Sequence, residues 1–147
     1  MRAGVLLAVL AAGALNAASE TEAWVFRVAD RSLVTVDGMV VELAPAHAVF
    51  IGELHNVSDH HRVQLDVLRA LERAEVPVII GLEMFRAEQQ EDLDRWTSGA
   101  MDERQFRSVY ERNWTLPCEL YRDIFLHARE HRIPLMGINV PDGMVRK

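Results

Sequence analysis

Apolar positions recur along this chain with two periods, and their alternation predicts the order of elements. Residues 24–28 and 33–36 have strand composition. Asp37-Gly38 is a turn signal, and residues 39–43 can return as the partner strand of a small N-terminal β-hairpin. Residues 49–55 form a short apolar run ending in polar residues, the form of a buried parallel strand. Then Val63, Val67, Ala70, Leu71 and Ala74 recur at helical spacing, with Arg62, Asp66, Arg69 and Arg73 opposite them. A helix is therefore predicted to about Glu75, capped by Ser58 or Asn56 and stopped by Pro77. Residues 78–85 are a second apolar strand. Helices over 87–97 and 102–112 are parted by Ser98-Gly99, and a third can start at Pro117 and end near Arg132. Residues 133–140 make a third strand, closed by Pro141. The order β-α-β-α-α-α-β predicts an α/β fold: a parallel sheet with flanking helices and right-handed crossovers, beside the hairpin. Three parallel strands make a thin sheet, and the chain stops within seven residues of Pro141, so the domain over 20–147 is expected to be incomplete at its C-terminus.

The first residues follow another pattern. Met1-Arg2 gives a positive start, residues 3–14 are apolar apart from Gly4 and Gly13, and small residues surround a cut after Ala17 or Ser19. That is a secretory leader over residues 1–19, too short to span a membrane comfortably. It predicts an exported protein, periplasmic or associated with an outer membrane. No cysteine lies near the cut, so the sequence does not support a lipid anchor.

Composition narrows the function. Of 147 residues, 50% are hydrophobic and 26% charged, which is globular and excludes a disordered chain. The net charge of −6 argues against generic nucleic-acid binding and against adsorption to anionic lipid. The single cysteine, Cys118, rules out an intrachain disulfide and a Cys-rich metal centre.

Candidate chemistry sits at the strand ends. Three stretches read apolar run, glycine, then a polar residue: Ile51-Gly52-Glu53-Leu54-His55, Ile80-Gly81-Leu82-Glu83 and Met136-Gly137-Ile138-Asn139. In an open α/β sheet the ligand site lies outside the carboxyl ends of the strands, which gathers Glu53, His55, Glu83 and Asn139 at one edge. On the next helix His60 and Gln64 fall within the apolar face and His61 on its flank, so His60 is expected over the same point. The metal-ligating set is Glu53, His55, His60 and Glu83, with Gly52, Gln64 and Asn139 as the rim of the pocket. Such a set can bind a divalent metal. If the protein is a hydrolase, Glu53, His55 and Glu83 can run general acid–base chemistry, since burial beside like charge raises a carboxyl pKa. His127 and His131 have metal-clamp spacing but read as a solvated last helical turn. Cys118, near a helix start, could have a lowered pKa yet has no assigned basic partner.

The motif Val49-Phe50-Ile51-Gly52-Glu53-Leu54-His55, followed by Asp59-His60-His61-Arg62 and Gln64, resembles the ChaN-like proteins of the Tiki/TraB superfamily. Gly81-Leu82-Glu83-Met84-Phe85 with Gln89-Gln90, and residues 134–141, match in the same order. Trp114, Tyr121-Arg122 and Ala128-Arg129 also fall where that family has such residues. The resemblance covers about residues 47–146. It implies an exported haem-binding protein of haem or iron uptake, often a lipoprotein that dimerises around haem. Gly52, Glu53, His55 and Glu83 are the positions that carry over, and more distant members resemble metal-dependent peptidases and esterases. The second G-x-x-H and the tyrosine linked to haem iron lie outside the matched half, so the haem ligand is not assigned. Neither Tyr110 nor Tyr121 has a claim by motif. Two functions follow: a protein that binds haem or a small-molecule ligand, with a homodimer as its expected partner state, or a metal-dependent hydrolase, peptidase- or esterase-like, using the Glu/His cluster at the strand ends.

Overall fold

A computed structural model describes residues 23–141 and Met144. The expected leader lies outside the described residues. The described chain is mixed α/β and divides into two compact units: residues up to Ile51 with Asp66–Val76, and Gly52–Leu65 with Pro77 onward.

In the first unit, β1 (Trp24–Arg27) pairs antiparallel with β2 (Ser32–Thr35), Trp24 opposite Thr35 and Arg27 opposite Ser32. Asp30 makes the turn: its Oδ1 accepts from the Ser32 backbone N–H at 3.1 Å and the Ser32 hydroxyl at 2.7 Å. The hairpin therefore exists but closes at residues 28–31. Residues 39–43, expected as its return strand, instead belong to α1 (Val36–Leu43). Thr35 caps that helix by accepting the Gly38 N–H at 3.0 Å, which enlists the Asp37-Gly38 pair in a first helical turn. Val36, Met39 and Val40 are buried at i, i+3 and i+4, a helical stripe that overrides the turn signal. The second half of α2 (Ser58–Arg73) adds buried Val67, Ala70 and Leu71.

The second unit carries the first half of α2, then β3 (Ile80–Arg86), α3 (Gln90–Thr97), α4 (Glu103–Asn113), α5 (Arg122–Glu130) and β4 (Leu135–Asn139). β3 and β4 pair in parallel, with Ile80 opposite Leu135 and Leu82 opposite Gly137; the register shifts before Arg86 meets Asn139. Gly137 is obligatory here, because a Cβ on it would stand 2.4 Å from the Arg86 carbonyl oxygen. The amide of Gln90 stitches β4 further, donating to the Leu135 carbonyl at 2.8 Å and accepting the Gly137 N–H at 3.4 Å.

One face of this strand pair, bearing Leu82, Met84 and Leu135, packs with Phe85 into an aromatic core. Trp96 stacks on Phe106 at 4.2 Å and donates its indole N–H to the Phe125 carbonyl at 3.0 Å. The other face shows Gly81, Glu83, Met136 and Ile138 to solvent. α3 stops at Gly99, whose φ of +82° suits glycine, and Asp102 opens α4 with a reciprocal capping box to Gln105. Pro117 starts only a 3₁₀ turn, so the third helix begins at Arg122.

Residues 49–55, expected as the first strand of the parallel sheet, join no ladder among the described residues. Their polar end is bent into consecutive turns, with Val57 N–H donating to the Leu54 carbonyl at 2.9 Å and His60 N–H to that of Val57 at 3.0 Å. No helix among the described residues is long and apolar enough to cross a membrane.

Candidate functional site

Within the second unit, Glu53 is the hub of a hydrogen-bonded cluster. The irregular segment 52–57 supplies Glu53 and His55. The opening turns of α2 supply His61 and Gln64, and the residue just before α5 supplies Tyr121. The Glu53 side chain is 11% exposed, and its Oε1 accepts from His55 Nδ1 at 2.6 Å and from the Tyr121 hydroxyl. Its Oε2 accepts from Gln64 Nε2 at 2.7 Å and lies 3.0 Å from His61 Nδ1. Four donors on two oxygens fill the lone-pair sites of a carboxylate.

His61 is 3% exposed. Its Nε2 faces the His55 carbonyl at 3.1 Å and its Nδ1 also faces Gln64 Oε1 at 3.4 Å, so acceptors stand before both nitrogens. Its ring lies 4.2 Å from that of buried Tyr121. His55 differs. Its Nδ1 is committed to Glu53, its side chain is 43% exposed, and its ring meets Trp114 edge-on at 5.2 Å. Nε2 is the nitrogen left for a ligand.

The electrostatics match this geometry. Burial would push the Glu53 carboxyl up, but hydrogen bonds from His55, Tyr121 and Gln64, with the charge of His61, outweigh burial and hold it below its ordinary value. Burial, then the Glu53 hydrogen bond and charge, push the Tyr121 phenol far up, while the nearby Trp114 works the other way. Tyr121 is thus a fixed donor. Tyr110 is fully buried with its hydroxyl unpartnered, and burial first, then Cys118 and Glu53, raise its phenol too.

Of the residues expected from sequence, Glu53, His55 and Gln64 come together. His60 turns elsewhere: its Nδ1 accepts the Leu54 N–H at 2.9 Å, tying the loop to the helix. The helix buries His61 and Leu65, so His61, placed on the flank by the apolar pattern, is the histidine that enters the cluster. Glu83 is exposed on the open sheet face, and no hydrogen bond among the described residues joins it to Glu53. Asn139 is exposed and accepts the adjacent Val140 N–H at 2.9 Å, while Gly52 has nothing within 4 Å of a would-be Cβ. Burial pushes the Cys118 thiol up to about 11, outweighing the lowering by Arg107. His127 is buried rather than solvated, its ring 4.3 Å from that of His131. Tyr121 and Trp114 received no role from residue chemistry. Their one signal was the resemblance, which placed both in the matched pattern.

Among curated proteins no match is found. Among solved structures, the ChaN of Campylobacter jejuni, described as showing cofacial heme binding, superposes with a TM-score of 0.68 at 16% identity. The match covers 84% of this chain and 51% of that one, so this chain spans about half the length of its neighbour. At that identity the likeness concerns the fold. The family profile for haem-binding uptake, Tiki superfamily, ChaN, matches residues 39–147, well over half of the sequence. The chain belongs to that family.

Proposed function

We propose that this chain binds haem as part of an exported system of haem or iron acquisition, with His55 presenting Nε2 to the iron. The observation that carries this reading is the 2.6 Å contact between His55 Nδ1 and the enclosed Glu53 carboxylate. Histidines that ligate metals commonly donate their second nitrogen to a carboxylate, which fixes the tautomer and raises the basicity of the free nitrogen. A neutral imidazole so prepared is a common axial donor to haem iron.

The residues present fit the group. The half-exposed imidazole stands against Trp114 and follows the exposed Leu54, giving a planar macrocycle apolar surface beside its ligand. Haem would supply an iron able to accept one imidazole nitrogen. The chain's own residues do the positioning: Glu53 holds the proton on His55 Nδ1, while Gln64, His61 and Tyr121 hold Glu53. A hydrolytic reading needs a carboxylate free to take a proton or a metal. Both oxygens of Glu53 are already filled, and no hydrogen bond among the described residues joins the exposed Glu83 to it, so the geometry favours haem over hydrolysis.

Haem titration of the full chain, followed at the Soret band, tests the proposal. His55→Ala is expected to abolish the shifted band with little change in melting temperature. Glu53→Gln should weaken binding by about 10–100-fold, the usual scale for such supporting groups. A wild-type chain that takes up no haem ends the reading, and a band unchanged in His55→Ala ends the assignment of the ligand.

A further inference from the structure

Between α3 and α4, and sharing no residue with the Glu53 cluster, the second unit holds a cleft of about 430 Å³. That size falls in the range of about 300–1,000 Å³ typical of small-molecule sites. Arg95 comes from α3, and Arg104 and Arg112 from α4, with Asp92, Gln105 and Ser108 completing the polar wall. Met101 and Val109, both buried, also line it. On α4 the spacing from Arg104 to Ser108 to Arg112 is four residues each time, which keeps all three on one helical face.

These cations are under-compensated. Other arginines nearby have acids: Arg107 of α4 pairs with Glu119, and Arg122 of α5 with Glu103 at 2.5 Å. In the cleft the one acid, Asp92, lies 3.6 Å from Arg95. Arg112 donates to the neutral Ser108 carbonyl at 2.9 Å, and the Arg104 guanidinium has no acidic partner among the described residues. Three cations against one anion stand in a concavity of a chain whose net charge is −6. Like charges gathered in a cleft repel one another and raise the local potential for an anion.

We propose that this cleft is a second ligand site, for a small organic molecule bearing two acidic groups. Guanidinium forks match carboxylate and phosphate oxygens in pairs, so either acid serves. Arg104 and Arg112 leave α4 about 12 Å apart at 1.5 Å rise per residue, a span that suits two acidic groups better than one compact ion.

The full chain would be titrated with adipate, with 1,4-butanediol bisphosphate and with inorganic phosphate, each against sodium chloride at equal ionic strength. The readout is the amide NMR signals of Gln105, Ser108 and Arg112. Saturable shifts with adipate or the bisphosphate are expected, and the tighter of the two names the source of the acid. Arg104→Gln and Arg112→Gln should each weaken binding about tenfold, and Asp92→Asn should strengthen it. Shifts no larger than those with chloride, or binding unchanged in the Arg104→Gln/Arg112→Gln double variant, would overturn the site. Inorganic phosphate binding as tightly as the longer probes would overturn the requirement for two groups.

Discussion

Three stretches of the chain carry the same signature, an apolar run, a glycine and a polar residue, and they end in different roles. At Ile51-Gly52-Glu53 the glycine stands in open space while the acid is enclosed by four donors. At Met136-Gly137-Ile138-Asn139 the arrangement is reversed. A Cβ on Gly137 would meet the Arg86 carbonyl oxygen at 2.4 Å and that of Phe85 at 3.0 Å, while Asn139 faces solvent. The Gly81 stretch lies between: its Cβ would meet a flexible Ile138 methyl at 3.2 Å, and Glu83 is exposed. A glycine in a ladder serves the close approach of two backbones. A polar residue becomes part of a site only where donors from separate elements converge on it.

The sharpest way to break this contrast is to fill the glycines. Gly137→Ala forces a methyl group into the backbone of β3, where no rotamer can move aside, and should cost about 3 kcal/mol or more, at the upper end of overpacking effects. Gly52→Ala meets nothing and should lie within about 0.5 kcal/mol of the parent. Urea denaturation of both variants measures the difference. Equal losses would mean that the glycines play one role, against the geometry.

The acids allow the converse experiment. Glu53→Ala strands the hydroxyl of Tyr121, a ring nitrogen of His61 and the amide of Gln64, all buried or half-buried, and should cost about 2–3 kcal/mol. Glu83→Ala removes an exposed side chain and should stay within about 0.5 kcal/mol. If Glu83→Ala proved the more damaging in the same denaturation assay, the assignment of roles to the two acids would be inverted.

Much of this architecture was legible in the sequence because it rests on local periodicity. The two paired strands, the break at Gly99 and the helices on either side of it follow from apolar spacing and turn residues. The inward position of Gln64 was legible for the same reason, and Glu53 and His55 were read as site residues although the segment that carries them is no strand among the described residues. What escaped depends on partners distant in sequence or on the phase of one turn. Tyr121 reaches Glu53 across 68 residues, and no local pattern announces that contact. His60 and His61 are adjacent, so a rotation of one residue in the helix decides which is enclosed. The hydrogen bond from Leu54 N–H to His60 Nδ1 settles that choice. Residues 36–43 hold both a turn signal and a helical stripe, and the Thr35 cap tips the balance. Residues 49–55 have strand composition, but a strand is defined by its neighbour, and the turns at 54–60 take its polar end.

The smallest expected effect concerns acid. Burial raises the Glu53 carboxyl, yet the hydrogen bonds and the His61 charge prevail and leave it below its ordinary value in the folded chain. A carboxyl lowered on folding adds stability that is complete above the ordinary carboxylate value, near about 4.3 for a free glutamate, and is lost as pH falls through the lowered value. Glu53→Gln cannot titrate at this position and supplies the reference. The melting-temperature gap between parent and variant should therefore hold steady from about neutral pH down to that ordinary value, then narrow as the native carboxyl takes its proton. Acid also charges histidines and neutralises other carboxylates; at groups that do not touch residue 53 those changes act on parent and variant alike, so the gap reports the cluster of Glu53 with His55 and His61. A gap that stays constant well below the ordinary carboxylate value would show that the cluster is held by shape rather than by the charge on Glu53.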